Sequence, residues 1–138
     1  MSEVKFKKDN EPLQNVSLPG YHFLYQPGMS TSAAGGVGIY LKNSSNIITW
    51  DDLSACTNEY ESIWIEILNS RDKNILCSVF YRHPKANMEK FLTESYNTLD
   101  VVSKEQKTCV IMGDFNINLN NYESHPSTEN FISTRFGH

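Results

Sequence analysis

The sequence lacks any long apolar run, and this excludes a membrane-spanning helix. Its longest uninterrupted apolar stretches, such as Cys109 to Met112, run only a few residues, whereas a helix that crosses a bilayer needs about 20. The N-terminal stretch from Met1 to Glu11 carries three lysines but no apolar run behind them, so it does not have the pattern of a secretory signal. We therefore expect an intracellular protein, in the nucleus or the cytoplasm, with no membrane partner.

Cysteine and positive charge are also scarce. The three cysteines, Cys56, Cys77 and Cys109, are widely spaced, odd in number and form no C-x-x-C pair, which argues against a disulfide framework and a zinc site. The chain has 12 Lys and Arg against 16 Asp and Glu, for a net charge of −4. Because a protein that holds a polyanion by bulk charge needs a basic face, this acidic balance argues against that type of nucleic-acid binding. A metal-assisted enzyme that acts on phosphodiesters is still compatible with the charge.

Several common nucleotide and hydrolase motifs are absent. Residues Gly36-Val37-Gly38 lack the third glycine and the following helix of a dinucleotide fingerprint, and the chain has neither a G-x-x-x-x-G-K-[ST] loop nor a G-x-S-x-G elbow. No predicted helix carries paired metal-ligand histidines. We expect no small-molecule cofactor.

The 138 residues present, 39% hydrophobic and 20% charged, fit one globular domain. Apolar residues at spacings of three and four predict one amphipathic helix between Met88 and Val102. Ile63, Ile65 and Ile67 alternate with other residues, which predicts a strand that faces two different environments. Pro84 ends the next strand, Ile75 to Tyr81, before the helix. Strands are expected at residues 21–25, 37–41, 47–50, 63–68, 75–81 and 108–112. The first of them is weak and lies among the loops of residues 1–35, whereas the last is buried and ends in a loop at 113–116. A second helix is expected to begin at 131–138. This order predicts a mixed α/β fold in which a helix covers a sheet.

The most informative string runs from Cys109 to Asn116. At the end of a strand, residues two apart project to the same side, so Asp114 and Asn116 would present a carboxylate and an amide together at the sheet edge. A carboxylate can accept a proton from water or hold a cation, and an amide N–H can hold an anionic oxygen, as hydrolysis of a phosphodiester requires. The alternative is that Gly113, Asp114 and Asn116 simply form a turn.

A second candidate group follows the strand that ends at Tyr81. The phenol of Tyr81 and the guanidinium of Arg82 could hold a phosphate there, since Arg offers a planar fork of donors. The alternative is an aromatic strand end beside a solvated basic loop. His22 and His83 are interpreted as solvated loop residues.

Four strings occur in one order along the chain: Gly35 to Leu41, Glu61 to Ile67, Phe80 to Pro84, and Ile111 to Asn116. Together they resemble the endonuclease/exonuclease/phosphatase family, and within it the endonuclease domain of LINE-type (non-LTR) retrotransposon reverse-transcriptase proteins. The resemblance implies a deoxyribonuclease I-like α/β (α+β) sandwich, with two packed β-sheets flanked by helices. It also implies hydrolysis of phosphodiester bonds in DNA with Mg²⁺ or Mn²⁺ at the sheet ends.

The resemblance assigns roles to individual residues. Asp114 looks like the carboxylate that activates the attacking water, Asn116 like the amide that positions the scissile phosphate, and Tyr81 like the tyrosine that contacts the phosphate. The stretch Ser2-Glu3-Val4-Lys5 resembles the family string whose glutamate binds the metal, which makes Glu3 the expected metal ligand. A solvated, charged chain end is the alternative for Glu3.

The family pattern also contains pieces that this sequence does not show. A strand and an asparagine usually precede the metal glutamate, and a Ser-Asp-His string with an essential histidine follows later. Neither His125 nor His138 follows an aspartate at the end of an apolar strand. We therefore expect residues 1–138 to form a partial domain, weakly active or inactive, with low stability or self-association through exposed sheet edges. The alternatives are a non-catalytic folded remnant that acts as an interaction module, and a phosphatase of the same fold.

Overall fold

The computed structural model describes residues 17–29 and 35–118, and this part of the chain contains seven strands and one helix. Glu3, His125, His138 and the helix expected at 131–138 lie outside the described residues. In chain order the elements are β1 (Tyr21–Pro27), β2 (Gly36–Lys42), β3 (Ile47–Thr49), β4 (Ala55–Cys56), β5 (Tyr60–Ile67), β6 (Ile75–Arg82), α1 (Met88–Lys104) and β7 (Thr108–Asp114).

The strands form two sheets. Strands β1 and β2 pair antiparallel as a two-stranded sheet, and the larger sheet has the order β3-β5-β6-β7, with β4 paired to β5. Strand β5 is antiparallel to both of its neighbours, β3 and β6, whereas β6 and β7 are parallel. The parallel pair requires a crossover connection, and α1 supplies it.

The core lies on both faces of β5 and β6, because successive residues of a strand point to opposite sides. One face packs against the two-stranded sheet and the other against α1. The first cluster contains the buried residues Val37, Leu41, Ile63, Ile65 and Cys77. The second contains the buried residues Tyr60, Trp64, Leu76, Phe80, Phe91, Leu92 and Val102. This arrangement is the predicted α+β sandwich, with a sheet on one side of the larger sheet and a helix on the other.

The helix α1 begins where the sequence predicts. The side chain of Asn87 caps it by accepting a hydrogen bond from the backbone N–H of Lys90 at 2.9 Å, which satisfies one of the donors that a helix N-terminus leaves free. Phe91 and Leu92 lie in the buried face, as their spacing indicates. The helix continues past the predicted end at Val102 to Lys104.

Other expectations need correction. Strand β5 faces two different environments, as predicted, but neither is solvent: the two-stranded sheet covers one face and α1 the other, and the carboxylates of Glu61 and Glu66 are buried as well. The predicted buried strand at 108–112 is largely exposed and continues through Asp114, since within the described residues it lies at the edge of the sheet. His22 lies in β1 and not in a loop, and β4 was not predicted.

In residues 17–29 and 35–118 no helix is long and apolar enough to cross a membrane.

Candidate functional site

Three strands meet at one edge of the larger sheet with polar side chains in a row. The parallel strands β6 and β7 both end there, and the antiparallel β5 begins there. In the register Glu61 lies opposite Tyr81, and Tyr81 lies opposite Asp114. Because paired residues project to the same side, all three side chains lie on the face that carries the two-stranded sheet. Neighbouring strands are about 4.8 Å apart, so the row is compact.

The loop after β7 is a tight turn that also presents Asp114 and Asn116 to solvent. The Oδ1 atom of Asp114 accepts a hydrogen bond from the backbone N–H of Asn116 at 3.1 Å. Asn116 has φ of 48°, in the left-handed region that asparagine tolerates better than most residues. Its Nδ2 donates to the carbonyl oxygen of Arg82 at 2.6 Å. The sequence left two alternatives open for Asp114 and Asn116, a simple turn or an exposed carboxylate beside an amide. In the structure both descriptions apply to this loop.

Arg82 supports this loop from inside the protein. It is only 4% exposed; its Nη1 donates to the carbonyl oxygen of Asn116 at 2.9 Å, and its Nη2 to that of Ala86 at 2.8 Å. The guanidinium also lies 5.7 Å from the ring centroid of Phe91, within cation–π range. Arg82 was predicted to contact phosphate from a strand end, and this burial and bonding instead favour a role in positioning the loop.

Glu61 is a fully buried carboxylate that the sequence analysis did not single out. The backbone N–H of Gly36 donates to its Oε2 at 2.8 Å, and His83 Nε2 lies 3.3 Å from its Oε1. The two glycines beside it, Gly28 and Gly35, leave room for the carboxylate, since a Cβ on either would come within 3.0 Å of Oε1 or closer. The sequence feature that could have indicated Glu61 is its place at the start of an apolar strand. A carboxylate is costly to bury there unless it is paired, so a buried one has a specific partner.

The charge of Glu61 affects its neighbours. The pKa of the Tyr25 phenol is raised, first by burial and then by the Glu61 carboxylate. The pKa of the Cys56 thiol is raised by the same two causes in the same order. Loss of a proton from either group is therefore less favourable beside the buried Glu61 carboxylate.

His83 lies in the loop after β6, as predicted, but most of its side chain is buried and not solvated. Its side chain is 20% exposed, and its ring meets that of Tyr81 edge-on with centroids 5.3 Å apart. Its backbone N–H donates to the carbonyl oxygen of Glu59 at 3.0 Å. The structure thus adds Glu61 and His83 to the predicted group of Tyr81, Asp114 and Asn116.

The described residues do not form a complete metal site. Within 17–29 and 35–118 no group of three or more His, Cys, Asp or Glu side chains could hold an ion. Asp114 and Asn116 carry oxygen donors of the kind that Mg²⁺ prefers, but the predicted ligand Glu3 lies outside the described residues. The residues described here do not fit a metal on their own.

A comparison with solved structures places this architecture among known folds. The chain is similar to the endonuclease domain of TRAS1, a telomere-specific non-LTR retrotransposon, with a TM-score of 0.59 and 16% sequence identity. The chain has the fold of that endonuclease domain. The match covers 85% of this chain and 52% of the TRAS1 domain, so the chain spans about half the length of that structure. The predicted resemblance and fold class are confirmed. No protein-family model and no curated protein matches the chain.

Proposed function

We propose that this chain carries part of the active site of a metal-dependent DNA endonuclease. The observation that carries the proposal is the adjacency of Tyr81 and Asp114 at the ends of two parallel strands, with the Asn116 loop held beside them. In open sheets with parallel strands, ligands bind at the carboxyl ends of the strands. The fold shared with a retrotransposon endonuclease domain supports nuclease chemistry over other reactions at this edge.

Each side chain has a role that its chemistry allows. The exposed carboxylate of Asp114 accepts a proton from the attacking water. Asn116 uses one N–H of its amide on the Arg82 carbonyl, which leaves the second N–H of that amide for a phosphate oxygen. Tyr81, next to Asp114 in the register, contacts the same phosphate group through its phenol.

The proposal includes a divalent cation, Mg²⁺ or Mn²⁺, with Glu3 as a ligand. When bound, the cation would neutralise charge on the phosphodiester and act as a Lewis acid. The acidic balance of the chain makes such a counter-charge useful, because the net charge of −4 opposes the approach of DNA.

Nicking of supercoiled plasmid tests the proposal. The purified chain is incubated with Mg²⁺ or Mn²⁺, with EDTA in a parallel sample, and Asp114→Ala is assayed beside it. We expect at most weak metal-dependent nicking, since residues 1–138 form a partial domain, and any such nicking should fall by about 10²-fold or more in Asp114→Ala, because a general base typically contributes that much. Asp72→Ala is the matched control. Asp72 is an exposed carboxylate in the loop between β5 and β6, at the opposite end of the sheet, and its loss should leave nicking unchanged.

Two outcomes would contradict the proposal. Nicking that survives EDTA or Asp114→Ala would show that the activity comes from another source. If the wild-type chain shows no nicking with either metal, the non-catalytic interaction module becomes the better description. Release of phosphate from a monoester without any nicking would instead favour a phosphatase of the same fold.

A further inference from the structure

The two-stranded sheet carries a row of aromatic side chains on one face. Successive residues of a strand point to opposite sides, and Leu24 and Ile39 pack against the core between the sheets. The alternate residues of β1 and β2 therefore point away from that core. This outer surface, called the aromatic face below, is formed by Tyr21, Phe23 and Tyr25 of β1 and by Tyr40 of β2.

Two glycines of β2 give the rings room to lie over the sheet. A Cβ on Gly36 would overlap the Tyr25 side chain, and a Cβ on Gly38 would overlap the Phe23 ring. The planes of the Phe23 and Tyr25 rings are within 16° of parallel, with centroids 6.0 Å apart. The Tyr40 ring contacts that of Phe23, with centroids 4.7 Å apart, and Tyr40 is 39% exposed. The rings therefore form one continuous aromatic surface above β2.

The strands that carry the aromatic face contain no acidic residue, although the chain is acidic overall. Residues 17–29 and 35–50 include no Asp or Glu, whereas the whole chain has a net charge of −4. Lys42 is exposed and lies opposite Tyr21 in the register, so its side chain projects to the same side as the rings. Tyr21 is itself 38% exposed. Flat π systems joined by negative charges, as in an unpaired nucleic-acid strand, are complementary to this surface.

One end of the aromatic face lies beside the candidate site. The backbone N–H of Gly36 donates to Glu61 Oε2 at 2.8 Å, and Glu61 lies in the strand-end row with Tyr81 and Asp114. Tyr25, whose side chain lies over Gly36, belongs to this end of the face. From there the face extends along β1 for about 13 Å, four residues at strand spacing. A strand of DNA at the site can thus continue onto the aromatic face.

Stacking is a mode of nucleic-acid binding that the charge of this chain permits. The acidic balance argues against holding a polyanion by bulk charge. Stacking on aromatic side chains uses the π face that every base has, and a few positive charges are enough to accompany it. Aromatic side chains on an exposed β-sheet surface bind unpaired bases in this way in other proteins. The bases of a duplex are already stacked on one another, so the aromatic face favours a single strand.

We propose that the aromatic face binds an unpaired strand of DNA by stacking bases on Tyr21, Phe23, Tyr25 and Tyr40. The inference rests on the proposed function for the class of substrate. It adds a second binding surface and the form of the substrate there, a single strand that extends away from the site. Binding occurs through base stacking and not through recognition of base sequence.

Binding of a short fluorescent oligothymidylate, followed by anisotropy in EDTA, tests the proposal without requiring cleavage. We expect the wild type to bind this single strand more tightly than the duplex formed with its complement. In Tyr40→Ala the dissociation constant should rise about tenfold, because stacking of one base on an aromatic side chain is worth about that factor. Tyr40→Phe keeps the ring and removes only the hydroxyl, so it should bind like the wild type.

Ile48→Ala is the matched control for loss of an exposed apolar side chain. Ile48 is 49% exposed and lies opposite Glu66, on the side of the larger sheet that carries α1, so its loss should leave binding unchanged. Thermal unfolding of each variant checks that it folds. If Tyr40→Ala fails to fold, the ring resonances of Tyr21 and Tyr40 in the wild-type protein provide the same test, and they should shift saturably as the single strand is added.

The outcomes separate this inference from the proposed function. Unchanged binding in Tyr40→Ala, tyrosine resonances that do not respond, or equal affinity for single strand and duplex overturns the inference even if the wild type nicks plasmid. Equal weakening in Tyr40→Phe would assign the effect to the hydroxyl and also overturn it, as would a wild type that binds no single strand. Weaker binding in Tyr40→Ala alone supports the inference even without nicking, in which case only the endonuclease proposal fails.

Discussion

At the scale of single residues, Arg82 supports the loop of the candidate site through hydrogen bonds to backbone carbonyls. Its two Nη atoms link the loop after β7 to the turn after β6. Asn116 returns the contact by donating to the Arg82 carbonyl. The Arg82 guanidinium bonds to the backbone carbonyls of Asn116 and Ala86, so we expect it to fix the path of the backbone that carries Asp114 and Asn116.

Replacing Arg82 by methionine keeps much of the apolar stem but removes every donor. The carbonyls of Asn116 and Ala86 would lose their partners, and we expect the free energy of unfolding to fall by about 2–3 kcal/mol. Arg82→Lys should recover only part of this loss, since an ammonium cannot reproduce the planar fork. Urea denaturation measures both, with Arg71→Met as the control, because Arg71 lies in the exposed loop between β5 and β6. Equal stability of the Arg82 and Arg71 variants would contradict the positioning role.

At the scale of elements, the close approach of β7 to β6 depends on Gly113. It pairs with Phe80, and a Cβ at this position would overlap the Phe80 carbonyl oxygen. Gly113 also has φ of 141°, which side chains rarely adopt. Gly113 directly precedes Asp114, the last residue of β7. The glycine therefore allows β7 to stay paired with β6 up to Asp114, which places the carboxylate at the end of the strand.

Gly113→Ala should therefore disturb the β6–β7 pairing. Gly20→Ala is the matched control, because Gly20 also has positive φ, 82°, but has nothing within 4 Å of its added Cβ. We expect Gly113→Ala to lower the free energy of unfolding by about 2 kcal/mol more than Gly20→Ala does, since only Gly113 adds an overlap to the conformational cost. Urea denaturation of the two variants measures the difference. If both variants lower the free energy of unfolding by a similar amount, β7 can move away from β6 without loss of stability.

At the scale of the whole molecule, one buried carboxylate joins segments that are far apart in the sequence. Glu66 of β5 lies 2.8 Å from Lys107 Nζ, between α1 and β7. It also accepts hydrogen bonds from Trp50 Nε1 at 3.0 Å and from Asn74 Nδ2 at 2.7 Å. The cluster connects the segment between α1 and β7, strand β5, Trp50 after β3 and the loop between β5 and β6, so we expect its loss to lower global stability.

The pH dependence of unfolding follows from this cluster. The hydrogen bond from Lys107, more than the opposing effect of burial, holds the pKa of Glu66 below its ordinary value of 4.5. A carboxyl whose pKa is lower in the folded state stabilises the protein above the ordinary value, and this contribution is lost as the pH falls through the folded pKa. The pKa of Lys107 is raised, first by the hydrogen bond to Glu66, so its contribution is present below its ordinary value and lost on the alkaline side.

We expect the free energy of unfolding to fall on acidification below pH 4.5, the ordinary value of a glutamate carboxyl, and to fall less steeply in Glu66→Gln. Chemical denaturation at a series of pH values measures both slopes. Asp51→Asn, at an exposed carboxylate, should keep the acid dependence of the wild type. If the free energy of unfolding falls just as steeply on acidification in Glu66→Gln, other carboxyl groups cause the loss of stability at low pH.

The open edge of the larger sheet also belongs to this scale. Within the described residues β7 pairs only with β6, and Val110 and Met112 on it are 42% and 43% exposed. Exposed strand edges are templates for pairing with another chain. Self-association through β7 stays a prediction.

The sequence by itself determined the order and type of most elements. The spacing of apolar residues is a local signal, and it predicted α1 and the strands that correspond to β1, β2, β3, β5, β6 and β7. The strings around Tyr81 and Asp114 also predicted which residues would lie at strand ends, because a strand end is marked by its own neighbours, such as Pro84. The two-residue strand β4 has no such pattern and was missed.

Only the tertiary structure decided what those strand ends contact. The hydrogen bond between Arg82 and the Asn116 carbonyl joins residues 34 positions apart, and the Glu61–His83 pair depends on the register of β5 against β6. A one-residue change of register would move each of these side chains to the opposite face. Local patterns of apolar residues do not reveal which residue of β5 lies opposite which residue of β6. Burial of Glu61, commitment of Arg82 to the backbone and orientation of His83 therefore follow from the packing of the two sheets and the helix.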